Sequence, residues 1–181
     1  MLQSGRATTV ILILIVLTFL LTELFGGSTE TRVLIKFGAL WGPLVWAGQF
    51  WRLLTAVFLH IGLTHLLMNS FALYIWGQQV EEQLGSKRFI FIFLSAGIAG
   101  NMLSLLLNPL TVSAGASGGI FGLFAAELYL LRQIFGRWEA NMVIYAIFML
   151  MYGFMIPAIN GWAHLGGAMT GFIATSIFNR K

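Results

Sequence analysis

Cysteine and aspartate are both missing from this chain of 181 residues, and charged side chains make up only 9% of it. Without cysteine, disulfide frameworks and thiol chemistry are excluded, and the redox compartment leaves no trace. Without aspartate, any acid-assisted catalysis has to draw on six glutamates: Glu23, Glu30, Glu81, Glu82, Glu127 and Glu139. So little charge also excludes an ordinary soluble domain, in which about a quarter of the residues are charged. The net charge of +4 is scattered beside apolar runs and forms no patch, so no nucleic-acid partner is expected.

What fills the chain instead is hydrophobic residues, 59% of the total. A bilayer crossing takes about 20 mostly apolar residues, and six stretches offer it: 8–22, 62–78, 89–107, 117–131, 142–156 and 161–178. The expectation is an all-α, polytopic membrane protein with the lipid bilayer as its solvent and one membrane-embedded domain over 1–181. The first stretch is read as a helix and not as a signal peptide, because Glu23-Leu24-Phe25-Gly26-Gly27 lacks an A-x-A-like cleavage site and a multispanning segment follows. Residues 23–61 form the longest connection. Their tryptophans, Trp41, Trp46 and Trp51, place it in the membrane interface. Pro109 fits the loop between helices three and four, and Pro157 the sharp turn between five and six.

Lysine and arginine give the orientation. Arg6, Lys87, Arg88, Arg132, Arg137, Arg180 and Lys181 fall on one face, and Arg32, Lys36 and Arg52 on the other. The seven-to-three excess places both termini in the cytoplasm. Helices two, four and six then begin on the outer side, and the first turns of these three carry His65 and Asn69, Ser117, and His164.

Ser117 sits among small residues, Gly115-Ala116-Ser117-Gly118-Gly119, where a hydroxyl serves either close helix packing or chemistry. The spacing favours chemistry. His164, Gly167 and Gly171 lie on one stripe of helix six, and Gly118, Gly122 and Ala126 offer a matching small surface on helix four. If those surfaces meet, the His164 imidazole comes within reach of the Ser117 hydroxyl, the nucleophile and base pairing of acyl transfer. No acid completes a triad, since Glu127 lies ten residues beyond Ser117, about 15 Å along a helix. A Ser-His dyad is the economical mechanism. His65 and Asn69, four apart on one face, are candidates to stabilise the oxyanion together with the Ser117 backbone N–H. A competing reading, a metal or ion transporter using His60, His65 and His164, lacks a carboxylate or cysteine partner and matches no common zinc spacing, so no metal site is expected.

From Trp51 to Gly171 the chain resembles the rhomboid intramembrane serine proteases. The resemblance rests on Gly115-x-Ser117-Gly118, on Ala163-His164-x-x-Gly167-x-x-x-Gly171, on Trp51-Arg52, on His60-x4-His65-x3-Asn69 and on Gly77-x3-Glu81-x3-Gly85, in the family's order. It implies a six-helix core with a cavity opening outward, a Ser117 and His164 dyad, His65 with Asn69 in the oxyanion hole, and a fifth helix that gates entry. It also implies transmembrane protein substrates, no cofactor, and residence in the inner membrane of a compact prokaryotic type. Packing roles are expected for Gly115, Gly118, Gly122, Gly167, Gly171, Trp51, Arg52 and Glu81. Phe121 departs from the tyrosine that several members carry beside the histidine, which keeps a stacking surface and loses a hydroxyl. The alternative within the same fold is a non-catalytic rhomboid-like protein that binds transmembrane helices; such relatives typically lack the serine or the histidine.

Overall fold

The structure is a computed structural model that describes residues 5–156 and 159–179. Pro157, Arg180 and Lys181, used above for a turn and for orientation, lie outside the described residues. Among the described residues the regular structure is helical, apart from one isolated bridge between Leu40 and Ser113. Six long helices run α1 (Arg6–Leu24), α5 (Gly62–Leu84), α6 (Ser86–Leu107), α7 (Ser117–Phe135), α8 (Ala140–Met155) and α9 (Gly161–Phe178). The connection after α1 folds into three short helices, α2 (Thr31–Phe37), α3 (Gly42–Trp46) and α4 (Arg52–Thr55), followed by a single 3-10 turn over Ala56–Phe58.

The fold is thus an all-helical, polytopic membrane fold. By length and composition α1, α6 and α7 can each cross a bilayer, and α5 joins them when taken with Arg52–Phe58, from which it is bent by 90°. The glycines and His164 of α9 dilute its apolar content. Helix α5 runs six residues beyond the expected end at 78. Its last turns are polar, and they contain the residue that ties the first helix down.

That residue is Glu81. Its carboxylate accepts the backbone N–H groups of Ala7 and Thr8 (both 2.9 Å), the Thr8 hydroxyl (2.7 Å) and the Ser86 hydroxyl (2.7 Å). The first turn of a helix has unbonded N–H groups and the positive end of the peptide dipoles. A buried carboxylate from another helix meets both needs of α1, whose own N-cap is Gly5 and makes no side-chain bond. The contact sets the N-terminus of α1 beside the junction of α5 and α6, and Arg88 over the Phe178 ring brings the end of α9 to the same side.

At the opposite end Arg52 plays the corresponding part. Its buried guanidinium donates to the carbonyls of Ile35 (2.7 Å) and Ala39 (2.9 Å) and to Gln49 Oε1 (2.7 Å), with its charge 4.6 Å from the Trp51 ring centroid. One side chain therefore closes the short helices on themselves. Asn101 of α6 donates to the Leu53 carbonyl (2.9 Å), and Gly42 N–H bonds to the Pro109 carbonyl (2.9 Å), which fastens the assembly to the bundle.

In the centre, α7, α9 and α6 pack backbone to backbone. A Cβ on Gly167 would collide with the Gly118 carbonyl, and one on Gly171 with the Gly122 carbonyl. Gly100 of α6 stands in the same relation to the Ala163 carbonyl of α9. Within a membrane this close packing is a main source of helix association, because lipid supplies little hydrophobic drive. Replacing Glu81 by alanine should leave this centre intact and release α1. The expected loss is about 2 to 3 kcal/mol of stability, from hydrogen bonds to a charged group, read as a lower midpoint of thermal unfolding in detergent, with Glu81→Gln falling between.

Candidate active site

Ser117 is the first residue of α7, so its N–H lies outside the helical ladder. The segment leading to it is held by backbone bonds: Leu40 and Ser113 exchange two (2.9 Å each), and Gly115 N–H bonds to the Ala56 carbonyl (2.9 Å). Gly115 has φ +149°, and a Cβ there would lie 2.7 Å from His65 Cε1, 3.1 Å from His65 Nε2 and 3.8 Å from Ser117 Oγ. Only glycine fits on both counts. The absence of a side chain lets the His65 ring lie against the Gly115 backbone, close to the Ser117 hydroxyl.

His65 is placed by the first turn of α5. Its Nδ1 accepts the Ile61 N–H (3.4 Å), which assigns the proton of the neutral ring to Nε2, on the side facing Gly115. One turn on, Asn69 donates from Nδ2 to the His65 carbonyl (2.9 Å) and is buried, with Oδ1 unbonded. One N–H of that amide remains for another acceptor.

His164 occupies the first turn of α9, with its N–H bonded to the Asn160 carbonyl (3.2 Å). The ring stacks on Phe121, with centroids 4.1 Å apart and planes within 13°. Phe121 is one turn beyond Ser117 on α7, so the stack lays the imidazole along the helix that carries the serine. Nδ1 is buried and unbonded beside α8, where a Cβ on Gly153 would come within 3.0 Å of it. The Ser117 hydroxyl and the His164 ring are not hydrogen-bonded to each other, so the structure brings the two helix starts together without joining the pair directly. Among the described residues no carboxylate bonds to either histidine. Glu127 is buried lower on α7 and accepts from Gln83 of α5 (2.7 Å).

The site also contains His60, which the sequence places in the His60-x4-His65-x3-Asn69 motif and otherwise only in the competing transporter reading. It is fully buried, its ring centroid is 5.1 Å from that of His65, and its Nε2 faces the Ala116 N–H at 3.5 Å. It therefore touches both the His65 ring and the backbone next to Gly115. The signal in the sequence was the pairing of two histidines five apart around a helix start.

One side of the site is closed by α8, most of whose surface is left to face the bilayer. Of the sixteen residues of α8 only Gly153 is buried. A hollow of about 400 Å³ separates α8 from α7 and α9, walled by Phe121, Phe124, Ala146, Leu150, Leu165 and Phe172.

Residues 47–181 match the Rhomboid domain family. The rhomboid protease GluP of Bacillus subtilis (strain 168) is 42% identical over 180 residues, covering 96% of this chain and 35% of that protein. YdcA of the same organism, which carries the same family name, is 36% identical over 139 residues, 74% of this chain and 70% of its own. The mitochondrial RHOMBOID-like protein 6 of Arabidopsis thaliana is 36% identical over 153 residues, 81% of this chain and 49% of its own. The chain thus spans about a third of the length of GluP and half that of the plant protein. With a match through most of its length and an all-helical membrane fold that gathers the polar residues of three helix starts, the chain belongs to the rhomboid family.

Proposed function

We propose that this protein is an intramembrane serine endopeptidase that cuts transmembrane protein substrates within or next to their membrane segment. The observation that carries the reading is the backbone contact of α7 with α9 through Gly118, Gly122, Gly167 and Gly171, which holds the helix starts bearing Ser117 and His164 against each other. The naming of GluP as a rhomboid protease supports it.

In this mechanism His164 takes the proton of the Ser117 hydroxyl as Oγ attacks the scissile carbonyl carbon. The oxyanion so formed meets the Nε2–H of His65, the spare N–H of Asn69 and the backbone N–H of Ser117. As the tetrahedral intermediate collapses, His164 returns the proton to the leaving amine and an acyl-enzyme remains. Water, deprotonated by His164, then attacks the ester carbonyl, and as the second intermediate collapses His164 gives that proton to the Ser117 oxygen and the acyl group leaves as the carboxylic acid. The stacking of the imidazole on Phe121 fixes its plane, the task an acid performs in a triad. A substrate helix shields its carbonyls in internal hydrogen bonds, so cleavage favours segments that unwind easily. Helix α8 supplies the side from which such a segment reaches the serine. Both termini lie in the cytoplasm and the chain is multi-pass in the inner membrane, with the site in the outer leaflet.

Three outcomes are expected. A fluorophosphonate probe labels the wild type and leaves Ser117→Ala unlabelled, and cleavage of a transmembrane substrate disappears with the label. A folded wild type that binds a transmembrane helix yet never labels would instead be a binding protein. Asn69→Ala and His65→Ala retain labelling but lose about 10²- to 10³-fold in turnover, the usual cost of one oxyanion donor, with substrate binding little changed. Wild-type turnover per folded molecule in both variants would remove them from the oxyanion hole. Finally, reporter fusions at the C-terminus report the cytoplasm and fusions near Pro109 the opposite side; the reverse pattern would invert the site's leaflet.

A further inference from the structure

Asn160 is the N-cap of α9, and all three hydrogen-bonding functions of its carboxamide that this structure uses point to different elements. Oδ1 accepts the Ala163 N–H (3.1 Å) and caps the helix. Nδ2 donates to the Ser104 hydroxyl of α6 (2.6 Å) and to the Ser113 hydroxyl in the segment before α7 (3.0 Å). A helix cap needs only the first of these bonds. The other two are cross-links, and their placement is specific. Ser113 stands four residues before Ser117, in the stretch whose backbone is paired with Leu40 and whose next anchor is Gly115 on Ala56. His164 stands four residues after Asn160 and bonds its N–H to the Asn160 carbonyl (3.2 Å). Among the described residues, the Asn160–Ser113 bond is the direct hydrogen bond between the segment that delivers Ser117 and the turn that delivers His164.

We infer that Asn160 is a positioning residue for the dyad: through Ser113 and Ser104 it fixes the height and rotation of the first turn of α9 relative to the start of α7, and with them the approach of His164 to Ser117. The glycine contacts of α7 and α9 set how close the helices lie, yet smooth glycine surfaces leave sliding along the axis weakly opposed. A hydrogen-bonded clamp at the helix start opposes that sliding. No acid orients His164, so its alignment depends on where its helix begins. The role rests on Ser117 and His164 acting together as proposed above.

Three substitutions separate the clamp from the cap. Asn160→Ser keeps a good N-cap but is too short to reach both hydroxyls. Ser113→Ala keeps the whole cap and removes only the link to the Ser117 segment. Asn160→Asp keeps the cap and, since serine hydroxyls rotate, lets Ser104 and Ser113 donate to it. In the full chain in detergent, Asn160→Ser and Ser113→Ala should slow fluorophosphonate labelling of Ser117 by about tenfold or more, the scale of a small misalignment. They should lower kcat for a transmembrane substrate with KM unchanged, while Asn160→Asp restores labelling to near the wild-type rate. Measuring thermal unfolding on the same samples converts each rate to one per folded molecule. Wild-type labelling per folded molecule in both Asn160→Ser and Ser113→Ala would overturn the positioning role alone. A wild type that never labels would overturn the protease reading and this role with it.

Discussion

The contact between α7 and α9 is the constraint on which the rest of the molecule depends. Two carbonyl oxygens, those of Gly118 and Gly122, lie where side chains on Gly167 and Gly171 would have to be. No rotamer relieves such a clash, because the obstacle is backbone. α6 enters the same junction: a Cβ on Gly100 would collide with the Ala163 carbonyl, and one on Gly166 would lie 3.0 Å from the Gly100 Cα. Three helices therefore meet at distances that leave no room for lipid or water between them, and their separation is set by that packing.

The polar anchors lie away from this centre, at the two ends of the bundle. Glu81 gathers four donors at one end and Arg52 three acceptors at the other, each a buried charge satisfied by strong, directed bonds. They hold the peripheral pieces, α1 and the short helices α2 to α4, to a core packed backbone to backbone. α8 has no equivalent: it is nearly unburied and borders a hollow of about 400 Å³. The bundle thus has a closely packed centre, fastened ends and one wall with little buried surface.

With no aspartate in the chain and Glu127 engaged with Gln83, orientation of the histidine falls to packing. Phe121 presents a flat face to His164 and Gly153 makes room at its Nδ1 edge. A hydrogen-bonded acid fixes an imidazole by one strong bond; here a stacked ring and a tight backbone restrain the same rotation with many weak contacts. His60 supports His65 by a similar device, one ring tilted against the other. Phe121 in place of a tyrosine retains the stack, which needs only the ring.

The sequence by itself determined the class of the fold and the identity of the polar residues. Apolar runs with so little charge have only the bilayer as solvent, and a helix in lipid must satisfy its backbone internally, so composition settles helix type before any tertiary contact forms. The small-residue spacing at 118, 122, 167 and 171 is likewise a property of the helical repeat and was legible as a pair of matching stripes. Tertiary structure alone decided which distant groups share one space. That the side of Gly115 faces His65 follows from a φ of +149° and a loop paired to Leu40, neither of which leaves a periodic signal. That Glu81 caps α1 across 74 residues depends on α5 running past its apolar portion, where hydropathy fades but the helix continues. Bonds of this kind are set by where helices begin and end in space, and local sequence encodes each end without encoding its partner.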